Sequence, residues 1–553
     1  MASTQPLLPK PKSSISKTFL PTLSLIAIIS SSALFASYLI KPKPTISFSN
    51  HICDHALHKP SCLAHVLEVT NGSVVLTTQD QKVHLLRSIL MNSNSHIRKA
   101  MHTARAIKNR ITNGPIMEQK ALRECEKLLD LSIDNVFDSL VALTKNTTKS
   151  HQDAHTWLSS VLTNHFTCLD GLQGPARALM EPQLNGLISR ARTTLAILVH
   201  TLPSNSNLNY NSIDEALSGE FPSWVSRKDR KVLEASSVKD IEVNVVVAKD
   251  GSGSYETLGE AVAAAPNKSS TRFIIYVKEG TYKENVEIGK EKKNIMIVGD
   301  GMDQTIITGN LSYMDQIPTS LTGTVIALGS GFIAQDIWFQ NTAGPENHQA
   351  VALRVGGDLS VINRCRIDAF QDSLYAHTNR QFYRDCFITG TIDFIFGNAA
   401  VVLQKCNIVA RRPMAHQKNM LTAQGRTDPN QNTGTSIQQC YITPSPDLEP
   451  ATKTYLGRPW KAFSRTVVMQ SLLDSHIDPA GWHPWDDNKT TLETLYYGEY
   501  MNYGLGAGTS GRVDWPGYHV ITSADEARKF TVAELIQGDV WLKNTGVDYI
   551  EGL

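Results

Sequence analysis

Val361-Ile362-Asn363-Arg364-Cys365-Arg366-Ile367, Phe382-Tyr383-Arg384-Asp385-Cys386-Phe387-Ile388 and Val402-Leu403-Gln404-Lys405-Cys406-Asn407-Ile408 are three versions of one phrase. A fourth, Ser436-Ile437-Gln438-Gln439-Cys440-Tyr441-Ile442, follows after a longer insertion. Each copy runs apolar–polar–polar–Cys–x–Ile. A repeat of about 20 residues, built of strands and turns, reads as stacked coils, as in a parallel β-helix. Equivalent positions of successive coils then lie about 4.8 Å apart. That spacing makes Cys386 and Cys406 stacked neighbours, and a disulfide between them is expected.

The stretch Gln371–Asn398, QDSLYAHTNRQFYRDCFITGTIDFIFGN, overlaps these copies and, besides the Asp385 of the second copy, holds Asp372 and Asp393. Asp372 follows Gln371, and Asp393 sits inside the apolar run Ile392-Asp393-Phe394-Ile395-Phe396. An acid among apolar neighbours is costly unless paired or hydrogen-bonded. Either acid alone fits an ordinary turn. On stacked coils, however, both can face one groove, and two acids with amide side chains nearby suit acid–base or nucleophilic work.

The chain has 553 residues, enough for two or three domains. A hydrophobic content of 41% and a charged content of 19% are those of a globular protein, and a net charge of +1 excludes a strongly basic nucleic-acid binder. At the N-terminus a basic tail (1–17) precedes an uncharged run (18–40) that is long enough to span a bilayer. Without a clear small-x-small cleavage site it reads as a signal anchor in preference to a cleaved signal peptide. Residues 51–201 carry helical periodicity, with Leu122, Cys125, Leu129, Val136 and Leu140 close to one face. An antiparallel helical bundle is expected there, in which Cys53 and Cys62 can close a hairpin and Cys125 and Cys168 can tie two helices. Residues 202–241 are a polar linker, and Arg227, Lys228, Arg230 and Lys231 form a candidate processing site. From 242 to 541 short β-branched runs dominate. Sequons begin at Asn71, Asn146, Asn267, Asn310 and Asn488 and agree with a secretory route.

Residues 243–540 resemble plant pectin methylesterases. The stretches that carry the resemblance are Gly280-Thr281-Tyr282-Lys283-Glu284, Gln340-Asn341-Thr342-Ala343-Gly344-Pro345, His348-Gln349-Ala350-Val351-Ala352-Leu353-Arg354, Gln371-Asp372-Ser373-Leu374, Gly390 to Gly397, and Leu456-Gly457-Arg458-Pro459-Trp460. Residues 51–201 resemble that family's inhibitor-like pro-domain, a disulfide-tied four-helix bundle. The resemblance implies a mainly β protein, a right-handed parallel β-helix that hydrolyses methyl esters of polygalacturonate with no cofactor and no metal. It implies Asp393 as nucleophile, Asp372 as general acid and then base, and Gln371 and Gln349 as oxyanion donors. Arg458, Trp460 and Thr319 would hold the sugar, although Thr319-Ser320-Leu321 departs from the family's Thr-Thr-Phe pattern. The implied partners are methyl-esterified homogalacturonan, the chain's own pro-domain or separate inhibitor proteins, and a subtilisin-like processing protease. A monomer bound for the cell wall is expected, membrane-anchored before processing.

Two other readings compete. One is another β-helix enzyme on the same polymer, a polysaccharide lyase or a galacturonidase; a calcium-dependent lyase would need an acidic Ca²⁺ cluster, and none stands out. A silent β-helix carrying a helical inhibitor or binding module would have no use for Gln349, Gln371, Asp372, Asp393 and Arg458 together.

Overall fold

The computed structural model describes residues 51–70, 78–111, 114–145, 147–201, 242–486 and 489–553. The basic tail 1–17, the apolar run 18–40 and the whole linker 202–241 with its candidate processing site lie outside them, as do the sequons at Asn71, Asn146 and Asn488. Among the described residues no helix is long and apolar enough to cross a membrane.

The first half is helical: α1 (Lys59–Thr70), α2 (Gln79–Arg110), α3 (Ile116–Ala142), α4 (Thr148–Gly171) and α5 (Gly174–Thr201). Helices α2 to α5 form a bundle around Leu86, Leu122, Leu129, Leu162 and Leu195, all fully buried. Their starts are set chemically. Thr78 and Gln81 form a reciprocal capping box at α2, and Thr147 and Ser150 do the same at α4. Disulfides join Cys53 to Cys62 and Cys125 to Cys168, the second tying α3 to α4.

The second half is a parallel β-helix of three sheets, with eleven, seven and eight strands. Its register follows the repeated phrase. Ile362 pairs with Tyr383, Tyr383 with Leu403 and Leu403 with Ile437, while Ile367, Ile388, Ile408 and Ile442 form a second column. Each fully buried Ile stabilises the stack by about 1.5–3 kcal/mol.

The residue before each Cys turns the corner between two sheets in the left-handed region: Arg364 (φ 48°), Asp385 (50°), Lys405 (54°) and Gln439 (53°). A side chain there costs on the order of 1 kcal/mol or more. The corner persists because its N–H donates to the next coil, Arg364 to the Arg384 carbonyl (2.9 Å) and Lys405 to that of Gln438 (3.1 Å).

The Cys386–Cys406 disulfide does not form: Cys365, Cys386, Cys406 and Cys440 are buried thiols in one internal column. Side chains at equivalent positions leave neighbouring coils side by side, with origins about 4.8 Å apart. A disulfide needs its Cβ atoms at about 3.5–4.5 Å, and the sheets fix the wider spacing. Each sulfur is used otherwise, Cys386 donating to the Ile362 carbonyl (3.3 Å) and Cys440 to that of Leu403 (3.4 Å). Protein unfolded without reductant should therefore take up iodoacetamide at these four cysteines only, as read by peptide mass. Alkylation at two or none of them would restore the bridge.

The domain continues past residue 541. Short helices Val532–Ile536 and Gly538–Trp541 pack Val532, Ile536 and Trp541 onto the outer face of the eleven-stranded sheet, against Val361, Phe382 and Val402. The last residues are held by a glutamine ladder, Gln404 donating to the Ile550 carbonyl and Gln438 to that of Gly552.

Candidate active site

Leu374 pairs with Ile395, so Asp372 and Asp393 occupy the same position on successive coils. Both backbones are left-handed, at φ 65° and 52°, and the Asp372 N–H donates to the Ile392 carbonyl (3.0 Å). These two turns aim both carboxyls the same way, into a cavity of about 380 Å³ on the outer face of the seven-stranded sheet. Gln349, Gln371, Thr319, Arg458 and Trp460 line it as well. All seven candidates of the sequence thus reach one place.

Asp393 is 4% exposed and gripped from one side: Arg458 Nε donates to its Oδ1 (2.8 Å) and Nη2 to its Oδ2 (2.7 Å). This fork fixes the carboxylate's plane and charge. Trp485 backs the guanidinium, with Cζ 4.2 Å from the ring centroid. Asp372 is 7% exposed, and among the described residues no side chain donates to its carboxyl. Burial, and then the neighbouring charge of Asp393, push it well above the usual carboxyl range, against the pull of Arg458. Burial raises Asp393 too, but its fork with Arg458 opposes the rise. The two acids are therefore treated unequally: Arg458 favours the charged form of Asp393, while Asp372, with no such partner, keeps the stronger hold on a proton.

That division carries a stability cost with a definite sign. A carboxyl raised in the folded state binds protons more tightly there than in the unfolded chain. Its stabilising effect is fully present below the ordinary value of 3.8 and is lost as pH rises through the folded value. Asp372→Asn removes the loss. The variant should melt above the parent at pH 7, and the gap should close below pH 3.8, as read by calorimetry. An equal shift at both pH values would mean that Asp372 does not titrate in this way.

Several wall residues went unnoticed in the sequence. Tyr375 and Phe396 pair in register and stack with centroids 4.2 Å apart, and Trp460 meets Phe396 edge-on at 6.1 Å. The signal was present, since each aromatic stands three residues after one of the two acids. Trp460 can lie close because residue 425 is glycine; a Cβ there would come within 2.8 Å of the indole. Among the described residues no group of three His, Cys, Asp or Glu is arranged to hold a metal ion.

The helical domain forms the cavity's roof. Met117, Thr167, Asp170, Gly171 and Gln173 line the same space. One broad side of α4 meets the β-helix along its length. Asp153 pairs with Arg380 (2.8 Å), and Trp157 Nε1 donates to Asp358 (3.0 Å). Thr163 accepts from Asn398 (2.8 Å), and Thr167 meets His377 Nε2 (2.9 Å). Asp170 pairs with Lys461 at 2.7 Å. From α3, Glu124 takes Arg354 at 2.6 Å, with side chains only 5% and 1% exposed. Burial and the charge of Arg354 hold His377 well below its usual range and neutral.

The fold and this cavity define a two-carboxyl hydrolase site on a parallel β-helix, roofed by a helical bundle. The family model for pectinesterase matches residues 244–539, and that for the plant invertase/pectin methylesterase inhibitor matches residues 47–205. The chain belongs to the pectinesterase family. It is 55% identical to a pectinesterase/pectinesterase inhibitor of Ficus pumila var. awkeotsang, across 99% of this chain and 98% of that one. It is 52% identical to pectinesterase/pectinesterase inhibitor 18 of Arabidopsis thaliana, across the whole of both. The solved pectin methylesterase from carrot superposes with a TM-score of 0.56 at 60% identity, covering 57% of this chain and 99% of its own.

Proposed function

We propose that this cleft hydrolyses methyl esters of pectin, leaving a galacturonate carboxylate and releasing methanol. The observation that carries the proposal is the unequal treatment of two stacked acids, one forked to Arg458 and the other raised by burial and by its neighbour. Asp393 attacks the ester carbonyl, and the amide groups of Gln349 and Gln371 donate to the oxyanion that develops. Such donors contribute a factor on the order of 10²–10³ in rate. Asp372 gives its proton to the departing methoxide as the acyl-enzyme anhydride forms. A water then enters and gives a proton to Asp372 while its oxygen bonds to the acyl carbon, and the anhydride C–O bond breaks to leave the galacturonate carboxylate and a free Asp393. Trp460 and Phe396 supply the apolar faces on which a sugar ring rests, with Thr319 at the rim.

The helical domain, in this reading, keeps the cleft shut until it is released, and separate inhibitor proteins with the same bundle would dock in the same way. The run 18–40 directs the chain into the secretory pathway, where the bundle's two disulfides can form. A subtilisin-like protease then cuts near Arg230–Leu233. N-terminal sequencing of wall-bound protein should give a start near residue 234, and an intact Met1 would remove the processing step. The activity itself is tested by assaying methanol from methylated pectin incubated with residues 242–553. Product absorbing in the ultraviolet, without methanol, would mean a lyase instead.

A further inference from the structure

We propose that Lys461 is a binding site for a free galacturonate carboxylate next to the ester under attack, and that Asp170 fills that site in the covered enzyme. The proposal rests on the esterase reading above. Asp170 is a third carboxylate in a cavity that already holds Asp372 and Asp393. A further negative charge there is unfavourable unless a cation receives it. Lys461 does so at 2.7 Å, with both side chains partly open, 24% for Lys461 and 33% for Asp170.

Among the described residues Lys461 has no carboxylate partner in its own domain, so release of the helical domain leaves its charge free at the cleft wall. Arg458, by contrast, keeps Asp393. The base of the Lys461 side chain is already fixed, because its backbone N–H donates to Ser464 Oγ (3.2 Å) and its carbonyl accepts from the same hydroxyl (2.7 Å). Its ammonium lies 5.1 Å from the centre of the Trp460 ring, the surface on which the sugar is expected to rest. A cation at the edge of a sugar platform, satisfied by a carboxylate, matches one acidic sugar beside the esterified one. Each turnover creates the group that Lys461 would read, so a partly de-esterified stretch becomes the better substrate.

The test uses residues 242–553. Their cores contain no helical-domain residue, and the carrot enzyme is a solved chain of the same extent. Lys461→Met keeps the apolar stem and removes the charge. Its kcat/KM on sparsely esterified pectin should fall about 5- to 10-fold, mainly through KM, as expected for losing one partly exposed charge-assisted contact. On fully esterified pectin it should stay within about twofold, and Lys461→Arg should restore the sparse-pectin value. Unesterified oligogalacturonate should inhibit the parent competitively and the Met variant less. Equal losses on both pectins, or no loss on either, would overturn the proposal. Failure of the parent itself to release methanol would overturn the esterase reading instead.

Discussion

Asp393→Asn in residues 242–553 should lower methanol release from methylated pectin by about 10⁴-fold or more, the scale on which removal of a nucleophile acts. Asparagine is the right probe because of the backbone. Residue 393 sits at φ 52°, a conformation Asn adopts readily and Ala does not. Asp393→Ala should lose activity equally but also stability, mixing two effects. The amide keeps one acceptor for the Arg458 fork and cannot attack a carbonyl. Its cost will therefore lie mainly in kcat, with a smaller loss of melting temperature than that of Asp393→Ala. Asp372→Asn should be deficient as well, because no proton reaches the methoxide, although its nucleophile is intact. A substrate with a better leaving group than methoxide should recover activity in Asp372→Asn and not in Asp393→Asn. Retained methanol release by Asp393→Asn, with an unchanged far-ultraviolet spectrum, would remove Asp393 from the mechanism.

How much of this could be read from the chain depends on which physical constraint leaves a mark in sequence. Asp372 and Asp393 are 21 residues apart, one coil, so their facing one groove was already implied by the spacing of Cys365 and Cys386. Arg458 and Trp460 are brought in from two coils further on by the seven-stranded sheet, and repeat counting alone does not place them. The motif around them did. The error over Cys386 and Cys406 has a related origin, for register says which residues are neighbours and not whether their side chains converge. The corner residues Arg364, Lys405 and Gln439 carry no glycine or asparagine to announce a left-handed turn. Inter-coil hydrogen bonds impose it. The docking of α4 was hidden most deeply. Its contact face includes Asp153, Thr156, Trp157, Ser159, Thr163, Thr167 and Asp170, a largely polar surface that looks solvated until its partners on the β-helix are known.

The contact with the largest expected leverage on that docking is Glu124 with Arg354. A chain spanning residues 51–553 should release methanol at under about 1% of the rate of residues 242–553, because a tethered roof is present at millimolar effective concentration. Removing one member of a buried pair leaves the other charge stranded, at about 3–5 kcal/mol. Glu124→Ala strands Arg354, which is 1% exposed in the closed form and sees water only when the roof lifts. The penalty falls on the closed state alone, so the open fraction of the long chain should rise on the order of 10²-fold or more. In residues 242–553 there is no roof to destabilise. A second substitution separates the pair from simple damage to α3. Glu124→Leu with Arg354→Met replaces the ion pair by apolar groups of similar bulk, a change that buried pairs often tolerate without loss. The double variant should close again and lose the activity gained by Glu124→Ala, as measured by methanol release at equal protein concentration. If the long chain is as active as residues 242–553, the bundle does not block the cleft, and its contacts serve folding or retention alone.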